Sequence, residues 1–358
     1  MRVGIITQPL YANYGGILQN YALQQVLIRM GHTPVTLDYM PSLSFGRYIM
    51  YWGKSVLCAL SPTKRHPIKS YSHFLQRPAN IDSFVRSNIH LTKTLPNYSK
   101  KILKENGIEA IIVGSDQVWR YAYNSHYILD MYLAFAKDYP CIKIVYGASF
   151  GTDKWDYPEE TTNSARELAQ QFNAVSVRES SGIALCKEHL NVEAKGVLDP
   201  TLLLTAADYE GFCSVPEGEE TPYLAAYVLD KSEEKTAFIQ AEAKSRNLKV
   251  KVLTVSEKAA SVEDWLTTIR NATFVITDSY HGCLFSTIFE REFYAFINHS
   301  RGANRFETIL SNLGLSNRLV NYPSSAEDKF SIIDYSVVNQ NLESLRHSSL
   351  DYLNAFLD

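Results

Sequence analysis

The chain of 358 residues is long enough for two domains at roughly 150 residues each, and its 46% apolar and 20% charged residues are typical of an ordinary globular protein. A formal net charge of −3 gives no overall attraction to nucleic acid, so no nucleic-acid partner is expected. The five cysteines are scattered and form no Cys-x-x-Cys pair, which favours reduced thiols and predicts neither a disulfide framework nor a bound metal.

Short apolar strands alternate with helices through the first half of the chain. The N-terminal segment is typical of a core strand and not of a signal peptide, and no apolar run reaches the ~18 residues of a membrane span, so we predict a cytoplasmic protein. The pattern predicts a helix at 15–30, closed by Gly31, and strands at 3–7, 35–39, 110–113, 142–146 and 174–177.

A second series of the same kind follows a polar, proline-bearing connector at 204–222. It predicts helices at 234–246 and 262–271 and strands at 223–229, 250–255, 274–277 and 293–297. Such alternation implies parallel sheets that are covered on both faces. We therefore predict an α/β protein with an N-terminal domain at 1–205, a C-terminal domain at 206–325 and a helical tail at 326–358.

Two segments fall outside this alternation. In a predicted insertion at about 41–90, the stretch between Asp38 and Asp82 has no acidic residue and carries Arg47, Lys54, Lys64, Arg65, Lys69 and Arg77. We interpret it as a solvated helical insertion, and a basic surface for an anionic or membrane-bound acceptor is the alternative. In the tail, leucine spacing predicts a packed helix with a bend or break at Ser348-Ser349.

Ligands of doubly wound sheets bind at the carboxyl ends of the strands, so the residues that follow each strand are the candidates for chemistry. The segment 273–289 predicts a buried strand, a polar turn and an apolar helix, with His281 in the first helical turn. A helix start favours an anion, and a histidine there can bind that anion or move a proton. Capping or packing is the alternative role. Ser279 is a helix-capping residue type, and Gly282 permits close approach to the backbone.

The first half offers three further loops of this kind. Arg178 follows a strand and suits a carboxylate or phosphate, with an ion pair to Glu179 or another acid as the alternative. Asp116 could orient a sugar hydroxyl, act as a base or cap a helix. Gly15 either permits close ligand approach or shapes a tight turn. If the two domains face one another, Arg178 and His281 should converge on one anion.

Several common catalytic motifs are missing from the sequence. A phosphate-binding Gly-x-x-x-x-Gly-Lys-Ser/Thr loop, a dinucleotide Gly-x-Gly-x-x-Gly fingerprint, a His-Glu-x-x-His zinc motif and a Gly-x-Ser-x-Gly elbow are all absent. Cys283 follows Gly282 at the predicted helix start, but its apolar neighbours favour a place in the core.

A set of segments, in order along nearly the whole chain, resembles the polysaccharide pyruvyl transferases. The matching segments are Asn13-Tyr14-Gly15-Gly16-Ile17-Leu18-Gln19, Val113-Gly114-Ser115-Asp116-Gln117-Val118-Trp119, Ala148-Ser149-Phe150-Gly151, Val175-Ser176-Val177-Arg178-Glu179, Leu198-Asp199-Pro200-Thr201-Leu202-Leu203, Thr277-Asp278-Ser279-Tyr280-His281-Gly282, Arg305-Phe306, Leu313-Gly314-Leu315 and Arg318.

The resemblance implies two Rossmann-like domains in a GT-B-like arrangement, with the site in the interdomain cleft. It also implies transfer of a pyruvyl group from phosphoenolpyruvate to two hydroxyls of a saccharide, which forms a ketal in cell-surface polysaccharide biosynthesis. Phosphoenolpyruvate would be a co-substrate, and no cofactor is expected. The acceptor could be lipid-linked, which would place the protein at the inner face of the membrane.

The resemblance implies roles for Arg178, His281 and a basic residue after the last strand, and the loop positions predict the other site residues. His281, Arg178 and Asp116 are the predicted catalytic residues. Donor binding is expected from Arg178, Ser279, His281, Gly282 and Arg305, with Arg301 as a second choice for the last. Acceptor binding is expected from Asn13, Tyr14, Gly15, Gln19 and Gln117. Some members have an arginine where this chain has Ser279, so phosphate anchoring is expected to be distributed differently here.

Two other functions remain compatible with the sequence. One is a GT-B glycosyltransferase that uses a nucleotide sugar. The other is a non-catalytic sugar- or anion-binding protein on the same fold.

Overall fold

The computed structural model describes residues 1–11, 13–40, 77–215, 221–253, 260–297, 302–320 and 331–357. Most of the basic stretch at 41–80 therefore lies outside the described residues, as do Arg301 and Cys58. Among the described residues, no helix combines the length and the apolar character that a membrane crossing requires.

The first domain contains a parallel sheet with the order β2-β1-β3-β4-β5-β6. Its central strands are apolar and fully buried because helices cover both faces. The strands are β1 (Arg2–Ile6), β2 (Thr33–Thr36), β3 (Ala110–Val113), β4 (Ile142–Ala148), β5 (Ala174–Val177) and β6 (Lys195–Gly196).

The second domain contains a parallel sheet with the order β11-β10-β9-β7-β8. Counted from its own first strand, this is the same 2-1-3-4-5 order as in the first sheet. The strands are β7 (Tyr223–Tyr227), β8 (Lys249–Leu253), β9 (Phe274–Thr277), β10 (Glu292–Phe296) and β11 (Leu319–Val320).

Helices connect the strands of both sheets. Those of the first domain and the linker are α1 (Tyr14–Arg29), α2 (Ala79–Asn88), α3 (Lys100–Glu105), α4 (Tyr121–Asn124), α5 (Glu159–Ala169), α6 (Ser180–Leu185) and α7 (Ala207–Glu210). The later helices are α8 (Glu233–Ser245), α9 (Val262–Arg270), α10 (Tyr280–Ile288), α11 (Ala303–Asn312) and α12 (Tyr335–Leu357). Single 3-10 turns include Pro200–Leu203, after β6.

Each sheet has a switch point, where the strand order reverses direction and leaves a crevice at the carboxyl ends. In the first sheet it lies between β1 and β3, and in the second between β7 and β9. The α/β class with two Rossmann-like domains in a GT-B-like arrangement is thus confirmed.

The two domains share one apolar core next to these switch points. The Tyr14 ring stacks on Trp265 with ring centroids 5.5 Å apart, and Trp265 packs edge-on against Phe285 at 5.3 Å. The Tyr14 hydroxyl donates a 2.6 Å hydrogen bond to the Ala260 carbonyl oxygen. A large apolar interface restricts relative domain motion, so the cleft beside it is largely preformed.

All predicted strands are present, with ends that differ by a few residues, although residues 254–255 of one lie outside the described part. The tail forms one helix, α12, that runs through Ser348 and Ser349, so a break at this point, one of the two predicted alternatives, is wrong. Both serines serve as docking points: the Ser349 hydroxyl accepts from the Leu198 N–H at 3.0 Å, and Lys195 donates to the Ser348 carbonyl oxygen at 3.0 Å.

Arg77 is the one member of the predicted basic surface that the structure describes. Its side chain is 5% exposed and pairs with the carboxylates of Asp38 and Asp82. It therefore belongs to a buried ion-pair network and not to a basic surface.

Candidate active site between the two domains

A cavity of about 220 Å³ lies between the two switch points. It is lined by residues that follow β1 and β3 in the first domain and by residues at or after the ends of β7, β9 and β10 in the second. These residues are Asn13, Asp116, Gln117, Tyr227, Leu229, Asp278, Ser279, Tyr280, His281, Arg305 and Phe306.

Three helices of the described chain begin at this cavity. Asn13 is the N-cap of α1, Ser279 is the N-cap of α10, and Arg305 lies in the first turn of α11. The first N–H groups of a helix have no partner within the helix, and the positive end of its dipole favours an anion. Three such ends at one cavity make it suited to a negatively charged ligand.

His281 crosses from the second domain to touch the first. Its side chain is 7% exposed, and Nε2 lies 3.5 Å from Asp199 Oδ2. That is an ion-pair distance rather than a hydrogen bond, and Nε2 has no hydrogen-bond partner among the described residues. A Cβ added to Gly15 would lie 1.9 Å from His281 Nδ1. Because Gly15 has no side chain, the imidazole can lie directly against the start of α1.

Arg178 is fully buried and bound by two carboxylates. Nη1 donates to Asp199 Oδ2 at 2.6 Å, and Nη2 donates to Asp116 Oδ1 at 3.2 Å. Burial works against its charge, but the two carboxylates raise the pKa of Arg178. The sequence left two roles open for Arg178, binding of an anionic ligand and an ion pair with Glu179 or another acid. The structure shows ion pairs with Asp116 and Asp199. Arg178 and His281 do converge, and the group between them is Asp199.

Arg305 is the buried arginine that lines the cavity. Its Cζ lies 5.0 Å from the centre of the Tyr280 ring, and the residue is 4% exposed. Burial and the nearby charge of Arg178 lower the pKa of Arg305 to about 10. The group remains protonated near pH 7, and an anion in the cavity would offset the electrostatic cost of its charge.

Asp116 has a left-handed backbone conformation, with φ at 81°. Its carboxylate accepts from the Gln117 N–H at 2.8 Å, from Arg178, and from the Asn13 amide at 3.3 Å. Burial alone would raise the pKa of Asp116, but Arg178, His281 and Arg305 hold it below the ordinary value. Strained backbone of this kind is concentrated at functional sites.

Other predicted donor residues have internal partners. The Ser279 hydroxyl accepts from the Gly282 N–H at 3.3 Å, which makes Ser279 a helix cap. A Cβ at Gly282 would lie 2.4 Å from the Thr277 hydroxyl oxygen, so Gly282 allows α10 to pack on β9. Cys283 is fully buried, and burial raises the pKa of its thiol, as fits a core residue.

The predicted acceptor residues divide into two groups. Asn13 and Gln117 line the cavity. Tyr14 is 1% exposed in the shared aromatic core, and the Gln19 amide donates to Thr7 and Gly16 inside the first domain. Tyr14 and Gln19 therefore support the cleft from behind, while Asn13 and Gln117 can touch a ligand.

Sequence reasoning gave no catalytic or binding role to Asp199, Asp278 or Tyr280, and Asp278 was expected only to be a helix-capping residue type. Asp278 accepts from the Leu229 N–H at 2.6 Å and from Lys235 at 2.7 Å, and so fixes the loop after β7. The Tyr280 ring lies 4.9 Å from the Arg178 guanidinium carbon. A signal for Asp199 was present: an acid followed by proline and threonine is typical of a helix cap.

The sequence matches the family model described as polysaccharide pyruvyl transferase over residues 13–300. The chain belongs to the polysaccharide pyruvyl transferase family. This transferase has no match among curated proteins.

Solved structures similar to this pyruvyl transferase family member include proteins that bind nucleotide sugars. Arabidopsis thaliana UGT89C1, complexed with UDP-L-rhamnose, is 12% identical with a TM-score of 0.49, over 99% of this chain and 98% of that one. UDP-GlcNAc 2-epimerase from Methanocaldococcus jannaschii is 11% identical with a TM-score of 0.46, over 96% and 92%. UDP-N-acetylglucosamine 2-epimerase from Rickettsia bellii is 11% identical with a TM-score of 0.40, over 100% and 99%. The family assignment rests on the family match alone.

Proposed function

We propose that the protein transfers a pyruvyl group from phosphoenolpyruvate to two hydroxyls of a saccharide, forming a pyruvate ketal and releasing phosphate. The observation that carries the proposal is the meeting of three helix starts, Arg305 and His281 at one interdomain cavity. Phosphoenolpyruvate has a carboxylate and a phosphate, and both need cations and N–H donors. The family supplies the saccharide as the acceptor class.

The magnitudes favour a site that combines several weak anion-binding elements. One helix end contributes about 0.3–1 kcal/mol toward an anion, and a hydrogen bond to a charged group contributes about 1.5–3 kcal/mol. Three helix ends and one arginine together can therefore hold a small dianion without the additional arginine that Ser279 replaces. The cavity of about 220 Å³ is also below the roughly 300–1,000 Å³ of clefts for larger ligands.

The proposed reaction begins with protonation of the methylene carbon of phosphoenolpyruvate, which becomes a methyl group. The neighbouring carbon then carries positive charge, and the first saccharide hydroxyl attacks it and loses its proton. The C–O bond to phosphate breaks, and the second hydroxyl closes the ketal. The two hydroxyl protons balance the new methyl hydrogen and the proton taken up by phosphate.

The residues take roles that follow from their positions in the cavity. His281 is the proposed proton donor to the methylene carbon, with phosphate binding as its alternative role. Arg305 and the starts of α1, α10 and α11 bind the anionic groups. Asp116, beside Asn13 and Gln117, is the proposed base on the acceptor side. A lipid-linked acceptor would bring the protein to the inner face of the membrane.

The proposal is tested by incubating the protein with phosphoenolpyruvate and a panel of nitrophenyl and lipid-linked glycosides. The expected result is acceptor-dependent release of inorganic phosphate and a product whose mass equals that of the glycoside plus one pyruvate minus one water. Thermal shifts with phosphoenolpyruvate, UDP-sugars and GDP-sugars provide a second measurement. Stabilisation by a nucleotide sugar alone, with no phosphate release, would indicate a glycosyltransferase instead.

A further inference from the structure

A single buried carboxylate oxygen joins the two residues that the sequence placed at the centre of the site. Asp199 Oδ2 lies 2.6 Å from Arg178 Nη1 and 3.5 Å from His281 Nε2. Arg178 belongs to the first domain and His281 to the second. Asp199 is therefore the point at which the two halves of the site meet.

The position of this oxygen is fixed by the local fold. Asp199 follows the last strand of the first sheet and is the N-cap of the Pro200–Leu203 turn. Its other oxygen, Oδ1, accepts from the Thr201 N–H at 3.0 Å and from the Thr201 hydroxyl at 2.8 Å. The side chain is 0% exposed, and Ser115 donates to Oδ2 at 3.2 Å. Because the turn holds Oδ1, the orientation of the carboxylate is fixed, and Oδ2 faces Arg178 and His281.

The charge of Asp199 is maintained by its neighbours. Burial alone would raise the pKa of its carboxyl, but His281 and Arg178 hold it well below the ordinary value. A buried carboxylate is tolerated when it is paired and hydrogen-bonded, as this one is.

We propose that Asp199 is a positioning residue of the transfer site: its Oδ2 holds the Arg178 guanidinium and the His281 imidazole in one geometry. The proposal rests on the proposed function for its catalytic consequence, but the positioning itself does not depend on it. The partner of one ring nitrogen decides which nitrogen carries the proton. Asp199 favours a proton on Nε2, which leaves Nδ1, beside Gly15 at the start of α1, as the edge that acts on the ligand. Nδ1 donates to the methylene carbon only when both ring nitrogens carry a proton, and in that form Asp199 faces the Nε2 proton.

The same arrangement defines the role of Arg178. Because both of its terminal nitrogens bind carboxylates, Arg178 acts by keeping Asp199 and Asp116 ionised and in place. Binding of the donor anion falls to Arg305 and the helix starts. A small approach of His281 to Asp199 would convert the 3.5 Å contact into a hydrogen bond.

The first test observes the imidazole directly. The ¹⁵N signals of His281, identified as those missing in His281→Gln, should move in Asp199→Asn. They should stay in place in Asp208→Asn, a matched control in which Asp208 pairs with Arg29 and accepts from the Thr205 N–H, away from the cavity. If Asp199→Asn does not fold, Thr201→Val keeps the carboxylate, removes one bond to Oδ1 and should cause a smaller movement. Unmoved His281 signals in the folded variant overturn the proposal.

The second test uses phosphate release from phosphoenolpyruvate with the glycoside panel. Asp199→Asn should lower kcat by roughly 10–100-fold, by analogy with the loss seen when the hydrogen-bond partner of a metal-binding histidine is removed. In the His281→Gln background the same change should cause no further loss, because residues that act as a unit are not additive. A full additional loss in that background would overturn the proposal and indicate a structural role. If the wild-type protein releases no phosphate, the proposed function fails, and the ¹⁵N signals still decide whether Asp199 positions His281.

Discussion

At the residue scale, His281 is the side chain on which the proposed chemistry depends most. General acid catalysis contributes about 10²–10⁴-fold, so His281→Ala should lower the rate of phosphate release by at least the lower figure. The fold should survive, because the imidazole makes few hydrogen bonds. The measurement is phosphate release together with the circular dichroism melt. His347→Ala is the control, since His347 lies on α12 and its side chain is 74% exposed. Normal ketal formation by a folded His281→Ala protein would refute the role.

Gly15 provides a second residue-scale prediction. A methyl group there would lie 1.9 Å from His281 Nδ1, so the ring must move in Gly15→Ala. A displacement of about 1 Å can cost 10²-fold in rate, and a loss of that order is expected in kcat. Gly211→Ala is the matched control because a Cβ at Gly211 meets nothing within 4 Å. Equal activity of the two variants would contradict the close approach of His281 to α1.

The residues at strand ends could be found from the sequence because their positions follow from chain order. His281, Asp116, Asn13 and Gln117 do line the cavity. Their pairing could not be predicted, since it depends on how the two domains face each other. The ion pairs of Arg178 with Asp116 and Asp199 could not be predicted either, because these carboxylates lie far away in the sequence. Donor binding by Arg178 stays a prediction.

At the element scale, the strands were predictable because buried parallel strands are short runs of apolar residues. β6 and β11 were missed, since two-residue strands leave no periodic pattern. A break in α12 was one of two alternatives, with a bend, that the out-of-step leucine sets predicted, and the continuous helix contradicts it. The helix is instead buried at both ends: Val338 and Leu342 are buried near its start, and Tyr352 and Leu353 are buried near its end.

The C-terminal end of α12 packs into the core of the first domain, and a substitution there should destabilise the protein. The Tyr352 hydroxyl donates to the Val145 carbonyl oxygen at 2.8 Å, and Leu353 is 0% exposed. Leu353→Ala should lower the free energy of unfolding by about 2–5 kcal/mol, the usual cost of a buried leucine. Urea denaturation measures the change. Val337→Ala, on the same helix with Val337 49% exposed, should change it by no more than about 0.5 kcal/mol. A small effect of Leu353→Ala would mean that α12 is not part of the domain core.

At the scale of the whole molecule, two of the contacts between the domains differ in their chemistry. The aromatic core around Tyr14 and Trp265 is apolar and does not titrate near neutral pH. The contact of His281 with Asp199 is polar and lies at the cavity itself. The apolar contact sets the relative position of the domains, and the polar contact sets the geometry of the site.

The two buried carboxyls of the site predict how stability depends on pH. The carboxyls of Asp116 and Asp199 have pKa values below the ordinary value in the folded protein, because burial is outweighed by Arg178 and His281. The unfolded chain, with aspartate pKa values of about 3.9, therefore takes up protons first as the pH falls. Their contribution to stability is complete above about pH 4 and decreases as the pH falls further through the folded-state values.

Asp199→Asn separates this contribution from that of the other carboxyls. The variant should be less stable at pH 7 by about 3–5 kcal/mol, because a buried arginine loses a charged partner. It should also lose less stability than the wild-type protein between pH 5 and the acid limit of folding. The reason is that the variant lacks one carboxyl whose pKa is lowered by folding. Urea unfolding over this pH range measures both effects, with Asp208→Asn as the control outside the site. Parallel stability curves for wild type and Asp199→Asn would show that Asp199 is not held ionised by the two domains.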